Sequence, residues 1–93
     1  MKTYRWNETK NEQLKRSRGI SFEDVVLAIE SGGLLDVLEH PDPRRYPKQK
    51  IFVVAVTEYV FLVPHVEEVE YIFLKTVIPS RKATSDYGKR GSK

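Results

Sequence analysis

The chain contains no cysteine. That absence excludes a disulfide framework, a thiolate nucleophile and a Cys-based zinc site, and it suits a reducing compartment such as the cytoplasm. Long apolar runs are missing too: none approaches the roughly 18–20 residues of a membrane-crossing helix. The opening residues, Met1-Lys2-Thr3-Tyr4-Arg5-Trp6, turn polar at once and lack the apolar stretch of a secretory signal. The expectation is a cytoplasmic protein with no membrane partner. The chain has no Walker loop, no G-x-G-x-x-G, no H-E-x-x-H and no G-x-S-x-G. His40 and His65 are the only histidines, too few by themselves for a metal site. Neither a metal nor a cofactor is expected.

What is present points to one small folded domain. Its 93 residues suffice for one domain and are too few for two. With 40% apolar residues, one Trp, five Tyr and four Phe, the composition argues against disorder. Tyr4-Arg5-Trp6 reads as a short edge strand. Asn7 is then a helix N-cap, with Glu8 in the positive first turn, for a helix over 8–17 stopped by Gly19. Only Leu14 is apolar on that helix, so it lies on the surface. Ser21 and Asp24 form a capping box, and Phe22, Val25, Val26 and Ile29 make one apolar stripe on a second helix ended by Gly32-Gly33.

Strands follow. The spacing predicts one over 34–38, then a loop over 40–48 in which Pro41, Pro43 and Pro47 exclude regular structure. The unbroken apolar run 51–56 reads as a central strand buried on both faces. Thr57-Glu58 is a tight turn, 59–66 a returning strand with Pro64 marking an edge or bulge, and 71–78 a third long strand. Pro79 breaks it, and Ser80 caps a short helix to about Tyr87. The order predicts an α+β domain over residues 1–87, two N-terminal helices packed on an antiparallel meander with a short C-terminal helix, followed by a mobile basic tail over 88–93.

The net charge of +3 conceals a pattern. Residues 1–20 carry six basic groups against two acidic, residues 21–78 five against ten, and residues 79–93 five against one. If the fold gathers the two basic ends, they form one cationic face, the electrostatic footprint of phosphate binding. On that face Lys10, Arg81 and Lys82 are candidate catalytic groups: Arg offers a planar fork to phosphate oxygens and Lys a point charge, and both can stabilise a phosphodiester transition state. RNA supplies its own nucleophile in the 2′-OH, so a protein needs only a base, an acid and a charge clamp. His65, with an ordinary pKa near 6.5, is the candidate acid or base. Lys15 and Arg18 lie near the end of the first helix as candidate RNA-binding cations, and Tyr87 can hydrogen-bond phosphate or stack on a base. Each also has a plain alternative as a solvated surface charge, a half-exposed strand residue or a core tyrosine.

The motifs Trp6-Asn7 with Lys10-Asn11, Arg18-Gly19-Ile20-Ser21-Phe22-Glu23-Asp24, Arg45-Tyr46 and Ile78-Pro79-Ser80-Arg81-Lys82-Ala83-Thr84 with Tyr87 follow one another in fixed order. In this the chain resembles, over residues 4–87, the BrnT-type toxins of bacterial type II toxin–antitoxin systems, a branch of the RelE/ParE-like superfamily. The resemblance implies a RelE-like fold that cleaves RNA without a metal and halts translation. It implies neutralisation by a cognate antitoxin, usually with a ribbon-helix-helix DNA-binding part, in a hetero-oligomer. It places Trp6, Lys10 and Asn11 in the N-terminal motif and Arg81 and Lys82 in the C-terminal one. The family usually has His where Arg18 stands, and a Thr-Glu-Arg stretch near Pro64-His65-Val66; these departures leave two expectations, a weak or differently acting nuclease, or one in which His65 takes over the proton transfer. ParE-like relatives instead poison a protein target, which makes a binding toxin or an interaction module with no catalysis the alternative.

Overall fold

The computed structural model describes residues 2–91, with the side chains described as far as Tyr87. The elements are β1 (Thr3–Arg5), α1 (Glu8–Arg18), α2 (Phe22–Ala28) closed by a wide turn (Ile29–Gly33), β2 (Leu34–Glu39), β3 (Gln49–Val56), β4 (Tyr59–Glu67), β5 (Tyr71–Leu74), β6 (Ile78–Pro79) and α3 (Arg81–Gly91). This is an α+β fold with three helices on one mixed sheet, in the order β1-β5-β4-β3-β2, with β6 also paired to β4.

Local chemistry sets the helix ends. Asn7 Oδ1 accepts the Lys10 N–H at 2.9 Å, and Gly19 takes a left-handed conformation, φ +67°, where its N–H reaches Lys15 O. Such a residue closes a helix at no steric cost when it is glycine. Ser21 and Asp24 form the expected reciprocal box, both bonds at 3.0 Å. At Gly33 the backbone itself leaves no room: a Cβ there would lie 2.6 Å from Ala55 O, so the chain can pass from α2 to β2 only without a side chain.

The sheet departs from the expected meander in three ways. First, β1 runs parallel to β5, Tyr4 opposite Ile72, so the sheet is mixed, and Trp6 lies beyond the strand's end. Second, the strand expected over 71–78 is two pieces. His65 pairs with Leu74 but Leu62 pairs with Ile78, a slip of one residue. Pro64 explains the break. Its carbonyl accepts the Lys75 N–H at 2.9 Å, but it has no N–H to return, so the ladder lapses there. Pro64 thus sits in an inner strand and bulges its neighbour, and Pro79 belongs to β6 rather than ending the strand. Third, α3 continues to Gly91, through much of the stretch expected to be a mobile tail; Ser92 and Lys93 of that stretch lie outside the described residues.

Alternation along the strands assigns the two faces. Phe52 and Val54 on β3, with Val63 on β4 and Leu74 on β5, meet Leu14, Ile20, Phe22 and Val25 from the α1–α2 layer. Val53 and Val60 turn the other way and meet Ala83 of α3, with Leu62 and Tyr87 alongside. Each fully buried Val, Leu or Phe contributes about 1.5–3 kcal/mol, so the larger α1–α2 core dominates stability. Asn11 ties that core together at full burial. Its Oδ1 accepts the Phe22 N–H at 2.7 Å and its Nδ2 donates to Glu23 Oε1 at 2.8 Å. On the far face α3 is pinned by Thr84 Oγ1, which accepts the Val60 N–H at 2.9 Å, and by Tyr87 Oη, which donates to Asp36 Oδ2 at 2.8 Å.

Replacing Asn11 by Ala strands the Phe22 amide in the core, and leaving a buried donor unpaired costs about 1–3 kcal/mol. Urea unfolding of Asn11→Ala is expected to show a loss of that size with an unchanged slope.

Candidate active site

The sheet separates the residues that the sequence singles out. Trp6, Lys10, Asn11, Lys15 and Arg18 belong to β1–α1 on one face, whereas Arg81, Lys82 and Tyr87 lie on α3 against the other. The expectation that both basic ends surround one anion is therefore corrected: chain reversal at Pro79-Ser80 carries α3 behind the sheet. Several candidates are also committed to structure. The Trp6 ring stacks on Phe22 with centroids 5.6 Å apart, and its Nε1 donates to Glu8 Oε2 at 3.1 Å. Asn11 is fully buried, so it holds α1 to α2 and cannot touch RNA directly. Lys15 pairs with Glu12 at 3.3 Å and Lys82 with Asp86 at 3.4 Å, both at the surface. Arg18 donates through Nη1 to Val77 O at 3.2 Å and lines a hollow with Asp24, Thr57, Glu58 and Tyr59. Lys10 is half-buried on α1, and Arg81 is exposed.

His65 is different, because the fold builds a polar cluster around it. It lies on β4 directly opposite Lys50 on β3. Glu67, two residues on, shares its face. The Glu67 carboxylate bridges two cations, Lys2 Nζ at 3.2 Å from Oε2 and Lys50 Nζ at 3.5 Å from Oε1. The imidazole itself stacks on Phe52, centroids 3.7 Å apart and planes 13° from parallel. Nδ1 lies 3.0 Å from Val63 O; a carbonyl only accepts, so Nδ1 carries the proton and Nε2 the lone pair. Among the described residues no fully buried side-chain nitrogen or oxygen lacks a partner. Nε2 makes no hydrogen bond there, so it is the edge of this 2%-exposed ring that reaches solvent.

Burial holds the His65 pKa below its ordinary value; the Val63 bond and the Glu67 charge pull it up and the Lys50 charge pushes it further down. The hydrogen bond from Lys2 holds Glu67 below the usual carboxylate range; burial opposes it, and the charges of Lys2 and Lys50 reinforce it. At neutral pH the cluster therefore presents a neutral base, a carboxylate and two ammonium groups in one place. Perturbed titratable groups gathered in one place make this cluster the candidate site.

Lys2, Lys50 and Glu67 are not among the residues that the sequence singles out. Lys50 stands just before the apolar run and Glu67 just after its partner strand, where both read as ordinary flanking charges. Counting back from the Thr57-Glu58 turn sets Lys50 against His65, so that signal was available. Nothing local places Lys2 beside Glu67, because that contact depends on β1 reaching β5. Comparison of the chain with protein-family models finds no match. Comparisons with curated proteins and with solved structures find none either.

The His65 pKa fixes a stability window. The unfolded chain titrates its histidine near 6.5 and the folded one lower, so the unfolded state binds the extra proton first as pH falls. The stability due to the neutral ring is complete above about pH 6.5 and declines below it. Glu67, lowered from 4.5, adds its own loss only in more acid solution. Urea midpoints between about pH 6.5 and 5 are expected to fall for the wild type and to flatten in His65→Gln.

Proposed function

We propose that the protein is a toxin of the type II toxin–antitoxin class, similar to BrnT-type toxins, that acts in the cytoplasm by cleaving RNA and is held inactive by a cognate antitoxin with a ribbon-helix-helix part. The observation that carries the cleavage is the His65 cluster: a neutral imidazole, its Nδ1 held by Val63 O, opposite Lys50 on the neighbouring strand and on the same face as the Glu67 carboxylate that pairs with Lys2 and Lys50. The order of motifs along residues 4–87 supports the toxin class and the antitoxin partner.

In this reading Nε2 of His65 accepts the proton of a ribose 2′-OH. The 2′-oxygen then bonds to the adjacent phosphorus as the bond to the 5′-oxygen breaks, and the departing 5′-oxygen takes a proton from solvent. The products are a 2′,3′-cyclic phosphate and a 5′-hydroxyl. Lys50 and Lys2 stabilise the charge that grows on the phosphoryl oxygens, and Glu67 positions both ammonium groups. Lys10, Lys15 and Arg18 on α1 add cationic surface for the RNA backbone. Arg81, Lys82 and Tyr87, behind the sheet, take no part in the reacting centre.

A second reading, a toxin that acts by binding alone, draws on the burial of His65: a ring only 2% exposed offers a substrate little more than its edge. One experiment separates the two. Purified protein incubated with single-stranded RNA is expected to yield fragments ending in 2′,3′-cyclic phosphate, with or without EDTA. Lys50→Ala and Glu67→Gln should slow cleavage by about 10²-fold or more, while Arg81→Ala with Lys82→Ala should not. Growth arrest on expression with no RNA decay would favour the binding reading, and cleavage undiminished in Lys50→Ala would refute the assignment of the site.

A further inference from the structure

The sheet has two edges, and only one of them is guarded. The β1 edge is three residues long and ends in Arg5, whose guanidinium lies over the Tyr71 ring at 4.6 Å. The β2 edge is six residues long and exposed throughout. Leu34, Leu35, Val37 and Leu38 supply four of the nine large apolar side chains left exposed among the described residues, Val37 at 44%. A long, apolar, open edge is an invitation to strand addition, and natural sheets avoid it unless something pairs there.

The backbone of this edge is prepared for pairing. His40 N–H bonds to Gln49 O at 3.2 Å. Amide directions alternate along a strand, so Asp36 and Leu38 turn toward β3 while Val37 and Glu39 turn outward. The outward Val37 N–H is covered by the side chain of Asp36, whose Oδ1 accepts it at 2.8 Å. A side-chain cap of this kind can be exchanged for a strand carbonyl. Below the edge, Leu38 opens onto a hollow floored by Val53, Leu62 and Ala83 and walled by Lys82 and Asp86 of α3, which can take an apolar side chain from an added strand.

Charge selects the occupant. Residues 19–43 contain Glu23, Asp24, Glu30, Asp36, Glu39 and Asp42 and no lysine or arginine. A second copy pairing through β2 would set acidic residues against acidic ones, which is destabilising across strands, and RNA would be repelled. The geometry points to β2 as the docking edge for an extended segment of another protein in which apolar residues alternate with lysine or arginine. The apolar side chains of that segment cover Leu38 and its hollow on the α3 face, and its cations lie on the opposite face beside Glu39. This inference stands independently of the RNA-cleaving reading.

The test selects short peptides from a displayed random library on the full chain. It then measures the affinity of the selected peptides by fluorescence anisotropy and the protection of individual amides by hydrogen exchange. Peptides alternating apolar with basic residues are expected, with slowed exchange at Glu39. Glu39→Lys should weaken them about ten-fold or more, the effect of reversing two or three cross-strand charge pairs. Val37→Pro should weaken them too, and because the Val37 amide makes no bond to β3 the β2–β3 ladder remains whole; circular dichroism checks both variants. Selection of acidic or non-alternating peptides, equal affinity for both variants, protection away from β2, or self-association through β2 in sedimentation would each overturn the inference.

Discussion

The register of the β3–β4 hairpin governs the rest of the molecule. A two-residue turn, Thr57-Glu58, joins the strands, with Val56 opposite Tyr59 and every following pair set by that first one. A slip of one residue would exchange the faces of a whole strand. In the register observed, Phe52 and Val63 meet in the main core and Lys50 meets His65 beside it. The turn has its cost: Thr57 sits at φ +60°, a left-handed conformation that a β-branched residue seldom adopts. Eight paired positions along the hairpin outweigh the local strain.

Core and site are one construction. Phe52 is part of the α1–α2 core and also the surface on which His65 stacks, so the imidazole is oriented by packing rather than by a carboxylate partner. The same burial that fixes the ring keeps it neutral. Around it, Glu67 draws in two lysines, Lys50 of β3 and Lys2 just before β1. Here the fold supplies a base and its electrostatic surroundings at once. On the other face α3 buries Val53 and Val60, and its basic N-terminal residues are left to solvent.

The two proposed surfaces differ in physical character. The His65 cluster mixes cations with a base and suits an anionic substrate. The β2 edge is apolar and acidic and suits a basic polypeptide strand. The two surfaces adjoin, since Glu39 of β2 stands opposite Lys50 of β3, and the rules proposed for them differ: charge for the first, backbone pairing for the second.

Much of the local structure could be read from the residues alone. Asn7, Gly19, Ser21 with Asp24, and the proline-rich loop after β2 each act through bonds or clashes with near neighbours, so their effect is local and the elements appear where expected. Phe22, Val25, Phe52, Val54 and Val63 announce themselves as core by period and by run. What lay beyond the sequence were choices made between distant segments: β1 joining β5 in parallel, Pro64 breaking the strand beside it, and α3 passing behind the sheet. The last choice separates Lys10 from Arg81 and Lys82, although all three are basic. Residue type determined which groups could carry charge or a proton. Only tertiary packing decided which of them share a face, because a sheet is a barrier that sequence distance does not reveal.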